Sequence, residues 1–282
     1  MRVNRIALHQ STVHPLDPVA LVEVARGAGL DSIGLRVAAA GVEGADVESW
    51  WSRGIGSPML PDLIDALLAH RVTVLDVGRV PLGPELCVMD IGHPYGRVLE
   101  LGTRLGAQFV TVRAGKPADD PTDFFARLAE LAGRYHLRPL LSPAAGTAVA
   151  TLEQATAAVA GTGGGVVLDV VPGRDDGPTV DETVVELGEL LGYVRVPARA
   201  LDHTVTPGLL ATLPPQVPIA IGGAPGSTTT ALPTDSYPDS AGLDVPGHVA
   251  RATALRAAVD TLLRHPQAAD ARGPGLGLQG FA

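Results

Sequence analysis

One pattern limits what this chain can become: a short run of apolar, often β-branched residues followed by a helical pattern, repeated eight times. The runs fall at residues 5–9, 32–36, 72–79, 108–113, 138–142, 166–169, 193–199 and 217–221. Runs of this kind read as strands buried on both faces, and helices between them make the strands parallel. Eight such units in roughly 265 residues predict a single-domain α/β fold, a (β/α)8 TIM barrel over residues 1–264. A doubly wound open sheet is the competitor. The count of eight and the lack of a Gly-x-Gly-x-x-Gly after the first run favour the barrel. The Gly- and Pro-rich stretch 265–282 reads as a flexible tail.

Local signals support the repeat. Asp17-Pro18 has the form of an N-cap followed by proline at the first helical position, with Gly27 or Gly29 as the stop. Leu63, Leu67 and His70 share a helix face from about Pro61, and a pattern over 85–105 is interrupted by Gly92, Pro94 and Gly96. Phe124, Leu128, Leu131 and Tyr135 recur at three- and four-residue steps, which predicts one apolar helix stripe. Thr151 and Gln154 have capping-box spacing. Further helices are expected over 180–191, from Thr206-Pro207, and through Ala252, Leu255, Val259 and Leu262.

Composition sets outer limits. Of 282 residues 46% are hydrophobic, enough for a large core, and the net charge of −9 argues against a nucleic-acid-binding surface. The single cysteine, Cys87, excludes an internal disulfide and a Cys-rich metal site and suggests a reducing compartment. With no signal-peptide pattern and no apolar run of spanning length, the expectation is a cytoplasmic protein. Its partner would be a small-molecule substrate, neither nucleic acid nor membrane, and a homodimer is an open option.

In a TIM barrel the chemistry sits where strands end. Here the ends offer His9, Arg36, Asp76 or Arg79, Arg113, Ser142, Asp169, Arg199 and Gly222. Arg36, Arg79, Arg113 and Arg199 suggest a pocket for an anionic or highly oxygenated substrate, because guanidinium donors form a fixed fork. The alternative is that they pair with nearby carboxylates and support loops. Asp169 ends a buried run, as general base, metal ligand or partner of an arginine. His9 suits substrate binding or proton transfer, and a satisfied buried histidine is the competing account. His203 reads as a loop residue, and His14, His93 and His248 have no partner that spacing can place. Trp50 and Trp51 pack the second loop or wall the pocket. The glycines at 161–165 precede a strand, so they read as a turn. Gly222 and Gly223, opening the polar loop 222–247, are better placed to offer backbone amides to substrate or phosphate.

The run Ile6-Ala-Leu-His9-Gln10-Ser-Thr, with Asp31-Ser-Ile-Gly-Leu, resembles the opening of xylose isomerase-like barrels, the sugar phosphate isomerase/epimerase superfamily that includes endonuclease IV. Val74-Leu-Asp76-Val-Gly-Arg79 is similar to that family's third strand, Leu168-Asp169 to its sixth, and residues 246–263 to its last helix. The resemblance spans about residues 1–264 and implies the barrel fold and isomerase or epimerase chemistry. It also implies a divalent metal held by a glutamate on strand five, an aspartate and histidine around strand six, a histidine on strand seven and a glutamate on strand eight. This chain offers Ser142, Asp169 with Pro172 in the histidine's place, Arg199, and Gly222. One aspartate beside an arginine is a poor cation site. The expectation is therefore no metal and no other cofactor, the alternative being one weakly bound divalent ion at Asp169. Asp169, His9 and Arg199 are the candidate catalytic residues. Arg36, Arg79, Arg113, Ser142, Gly222 and Gly223 are the candidate substrate contacts. The reaction would be proton transfer next to a carbonyl; a lyase or dehydratase, or a non-catalytic metabolite binder, is the alternative. A nuclease is disfavoured by the missing ligands and the acidic surface.

Overall fold

Eight parallel strands close on themselves in sequence order, β1-β2-β3-β4-β5-β6-β7-β8, with β8 pairing back to β1. In the computed structural model the described residues are 5–13, 16–36, 59–83, 94–115, 120–170, 179–202, 209–222 and 244–264. The strands are β1 (Ile6–His9), β2 (Ser32–Arg36), β3 (Thr73–Leu82), β4 (Phe109–Ala114), β5 (Arg138–Leu141), β6 (Gly165–Asp169), β7 (Leu191–Pro197) and β8 (Ile219–Gly222). Seven α-helices stand among the described residues: α1 (Pro18–Gly27), α2 (Met59–His70), α3 (Pro94–Arg104), α4 (Pro121–Arg134), α5 (Leu152–Val159), α6 (Val180–Leu187) and α7 (Val245–Leu263). This is the (β/α)8 barrel that the repeat predicts. The tail 265–282, the tryptophans, Cys87, Pro172, Gly223, His14, His93, His203 and the segment at Thr206-Pro207 lie outside the described residues.

The helix starts follow their caps. Asp17 accepts from the Val19 and Ala20 amides at 2.8 and 2.9 Å, with Pro18 where no amide is needed. Thr151 and Gln154 form the expected capping box at α5, and Thr179 and Glu182 form a second at α6. The boundaries around β7 differ from the sequence reading. The helix after β6 stops at Leu187 and passes through a 3-10 turn into β7, which begins at Leu191 and ends at Pro197. Arg199 therefore lies in the 3-10 turn after the strand. On α4 the buried face centres on Phe125, Leu128, Ala129 and Ala132, and Phe124, Leu131 and Tyr135 pack at its margin.

The core has two parts. Most of it lies between strands and helices. A second cluster fills the barrel itself: Ala7, Leu75, Leu140, Val167, Tyr193 and Ala220, with Phe109 against it. Small residues on β1 and β8 face the Tyr193 ring, which is 1% exposed. The glycine run before β6 is the expected turn. Gly161 and Gly163 have φ of 73° and 78°, and a Cβ on Gly164 would lie 2.5 Å from the Phe125 ring.

Three register shifts set what faces the axis. Ile33 and Gly34 of β2 pair with Val74 and Asp76 of β3, so Leu75 is an extra residue and both Leu75 and Asp76 turn inward. Arg79 is the extra residue of the next shift, between Gly78 and Val80. On β7, Gly192 is passed over between Leu191 and Tyr193, which fixes the inward parity of Tyr193 and Arg195. Among the described residues, no helix is long and apolar enough to cross a membrane.

Candidate active site

The side chains of a strand alternate, so the residue two places after each member of the apolar barrel layer forms the next layer toward the strand C-termini. Adding two to Ala7, Phe109, Leu140, Val167, Tyr193 and Ala220 gives His9, Thr111, Ser142, Asp169, Arg195 and Gly222. Gly34 and Asp76 complete the ring from β2 and β3. A polar layer thus rests directly on the apolar one, at the end of the barrel where active sites of this architecture lie.

Arg195 is the centre of that layer. It is 5% exposed, and its register partner across β6–β7 is Asp169. Its Nε donates to Asp169 Oδ1 at 2.5 Å, and its Nη2 donates to Asp169 Oδ2 at 2.7 Å and to Ser142 Oγ at 2.8 Å. A guanidinium has five N–H groups. Three are committed to these partners, and among the described residues the two on Nη1 make no hydrogen bond. Burial works against the charge of Arg195, but the Asp169 carboxylate and its hydrogen bonds, with Tyr193 and Asp76, outweigh it and push the arginine's pKa up. Gly222 makes the arrangement fit: a Cβ there would lie 2.9 Å from Arg195 Cδ, 3.1 Å from its Cγ and 3.8 Å from His9 Cβ. The Arg195 stem and His9 therefore flank the glycine.

A second group lies beside it. Thr111 Oγ1 donates to Asp76 Oδ2 at 2.7 Å, and the Tyr193 hydroxyl reaches the same oxygen at 3.3 Å. Asp76 and Thr111 are each 1% exposed. Burial, then the Asp76 charge, pushes the Tyr193 phenol well above its ordinary range, so it stays a neutral donor. His9 is 5% exposed. Its Nδ1 lies 2.9 Å from Ser11 Oγ and 3.3 Å from the Ser11 amide nitrogen. A Cβ on Gly34 would lie 2.5 Å from Asp76 Oδ1 and 2.6 Å from His9 Cδ2, so carboxylate and imidazole share the space above that glycine.

The structure thus brings together five of the residues expected from strand ends: His9, Asp76, Ser142, Asp169 and Gly222. Arg36 and Arg113 lie on the same faces of β2 and β4 as Gly34 and Thr111, one pleat further toward the strand ends, and both are half-buried. The side chains of Arg79 and Arg199 are outside the described residues. The partner of Asp169 is Arg195, four residues before the arginine chosen from sequence. Arg195, Thr111 and Tyr193 were missed as site residues, and Asp76 was read only as the alternative to Arg79 at its strand end. The available signal was parity: counted inward from Tyr193, Arg195 faces the axis opposite Asp169. Away from this layer, His248 in the first turn of α7 is 1% exposed, and among the described residues neither ring nitrogen has a hydrogen bond. A groove of about 810 Å³ opens at the opposite end of the barrel, lined by Phe109, Arg138, Gly164 and Gly192 among others, and holds none of the polar layer.

The residues do not suit the metal that the family resemblance implies. Both Asp169 oxygens accept from a guanidinium, Ser142 and Gly222 stand where carboxylates were expected, and no group of three or more His, Cys, Asp or Glu among the described residues could hold a metal ion.

No protein-family model matches the chain, and no curated protein matches it. Solved structures do. An IOLI protein with a bound zinc atom is similar over 92% of this chain and 98% of its own, at 16% identity and a TM-score of 0.63. A xylose isomerase domain-containing protein from Salmonella typhimurium LT2 is similar over 94% and 100%, at 11% identity and a TM-score of 0.60. A D-allulose 3-epimerase from Methylomonas sp. is similar over 93% and 98%, at 14% identity and a TM-score of 0.58. Together with the closed eight-stranded parallel sheet, these similarities show that the chain has the fold of the xylose isomerase-like TIM barrels.

Proposed function

We propose that this chain is an isomerase- or epimerase-like enzyme that moves a proton next to the carbonyl of a small oxygenated substrate, with Arg195 in the role that a divalent metal takes in barrels of this kind. The observation that carries the reading is the Arg195 guanidinium, buried on the barrel axis, fixed on two sides by Asp169 and Ser142 and left with two donors on Nη1. A preorganised cationic donor suits an oxygen that becomes negative during reaction, because it needs no reorganisation as the charge develops. The names of similar structures, D-allulose 3-epimerase and 3-keto-D-glucoside 4-epimerase, support sugar-like substrates with a carbonyl beside the reacting carbon.

In this reading Asp169 orients Arg195. The proton carrier is His9: in the tautomer whose Nδ1–H donates to Ser11 Oγ, the Nε2 lone pair is left to exchange the proton. Neutral His9 takes the proton from carbon. The C–H electrons form the enediolate double bond and the carbonyl π electrons move to the oxygen held by Arg195 Nη1; the hydroxyl proton of the reacting carbon passes to that oxygen, and as the new carbonyl forms there the C=C electrons take the proton that the imidazolium returns to the former carbonyl carbon. No step passes through a metal. Arg36 and Arg113, nearer the mouth, hold more distant oxygens of the substrate.

Solvent-exchange NMR tests this with a panel of ketoses, aldoses and sugar acids in deuterium oxide. Deuterium is expected at the carbon next to the carbonyl, unchanged by prior dialysis against chelator and lost in Arg195→Met. Exchange that vanishes with the chelator and returns with a divalent ion would sink the metal-free reading. No exchange with any member of the panel would favour a binding role.

A further inference from the structure

One member of the polar layer is a fully buried carboxylate, Asp76. Asp76 points inward only because Leu75 is an extra residue in β3. A buried carboxylate is costly unless it is hydrogen-bonded, and this one draws on Thr111 from β4 and Tyr193 from β7 for a single oxygen. Three strands thus cooperate to place one negative charge below the mouth, too deep at 1% exposure to touch a substrate directly. Its other oxygen shares the space over Gly34 with the His9 ring.

We propose that Asp76 is a positioning residue of the proton carrier: it lies behind His9, holds the ring toward the axis and stabilises the imidazolium formed when His9 takes up a proton. The inference rests on the reading of His9 as the carrier. Ser11 is suited to the same task, because its hydroxyl accepts from Nδ1–H, which is present in both the neutral tautomer and the cation, so the ring keeps its anchor in both states. Gly34 supplies the room, since any side chain there would part carboxylate and imidazole. Among the described residues, the other charged groups on the axial side of the strand ends are Arg36 on β2, Arg113 on β4, Asp169 on β6 and Arg195 on β7, with Tyr193 the remaining titratable group. Arg195 opposes the imidazolium, but its charge is matched by Asp169. That leaves Asp76 as the carboxylate placed against the ring.

The test is an NMR titration of the histidine rings in the full-length protein, with the His9 signal assigned by His9→Gln. It needs no substrate, so it succeeds or fails separately from the proposed activity. Asp76→Asn is expected to lower the His9 midpoint by about one pH unit or more, roughly a tenfold loss of the protonated form at fixed pH. Thr111→Val keeps the charge and removes a hydrogen bond to it, which leaves the carboxylate more basic, and is expected to move the midpoint upward. Where activity is found, the acid limb of the kcat profile moves with the midpoint. Midpoints unchanged in both variants would overturn the proposal, and a Thr111→Val shift alone would sustain it if Asp76→Asn did not fold. If the midpoints shift as expected but no substrate shows exchange, the coupling stands and the activity reading fails.

Discussion

The pair at the barrel axis has a measurable energetic signature. Side-chain exposure is 6% for Arg195 and 14% for Asp169, and two of the three hydrogen bonds of the guanidinium go to that carboxylate. Truncation in Asp169→Ala strands a buried cation with Ser142 as its remaining hydrogen-bond partner among the described residues. Removing one partner of a buried pair costs about 3–5 kcal/mol, because the surviving charge is left desolvated. An exposed pair would cost about 0–1 kcal/mol. Replacing both partners by apolar residues of similar size, Asp169→Leu with Arg195→Met, removes the charges together and is expected to cost far less than Asp169→Ala alone. Urea unfolding of wild type, both single variants and the double variant, followed by far-ultraviolet circular dichroism and tryptophan fluorescence, gives the four stabilities of the cycle. A loss below about 1 kcal/mol for Asp169→Ala would refute the reasoning. So would a double variant as unstable as the two singles added together.

Two further predictions concern buried titratable groups. The folded-state Tyr193 phenol lies above its ordinary value of 10.0, first from burial and then from Asp76, so the unfolded chain ionises first and stability falls as pH rises past that value. Tyr193→Phe is expected to cost about 1 kcal/mol at neutral pH for the lost hydrogen bond and to narrow the gap above about pH 10, seen in melting temperatures across that range. A gap that stays constant to pH 11 would count against this. For His248, burial lowers the imidazole from its ordinary 6.5, with Asp244 opposing. Its folded-state value is depressed, so its contribution is present at higher pH and is lost as the unfolded chain takes up a proton on acidification. His248→Leu removes two buried ring nitrogens that have no hydrogen bond among the described residues and is expected to stabilise the protein by about 1 kcal/mol, with a larger margin near pH 5. Equal or lower stability at pH 5 would refute it.

The fold was legible because its signals are local or periodic. The Asp17-Pro18 start and the Thr151/Gln154 box act within one helical turn, and eight apolar runs of strand length need no knowledge of their partners. The Thr179/Glu182 box is of the same kind and was readable. The site was half legible. Asp169 and His9 close their strands, so reading ends was enough for them. Arg195 sits two residues inside β7 and was passed over in favour of Arg199, because the strand was drawn through to 199 while the chain turns into a 3-10 segment after Pro197. Asp76 faces inward through the extra residue Leu75, and that depends on β2 and β4, so alternation within β3 alone misleads. Gly192 acts in the same way for β7. Strand irregularities arise from pairing between strands, and a single strand's sequence carries little trace of them.

Gly222 also bears on how such a site arises over evolutionary time. The volume that a side chain at 222 would need is held by the stem of residue 195, so the two positions cannot both be large. A glutamate on β8 would force the Arg195 stem out of its observed place before any question of charge arises. Change from one kind of centre to the other must then pass through an intermediate that is small at one position, and the arginine can enter only once β8 has given up its side chain. Among relatives with this barrel, residues matching 195 and 222 should therefore vary as a pair, long with glycine or short with carboxylate. A glycine ending the eighth strand would be a simple marker for an arginine-centred site.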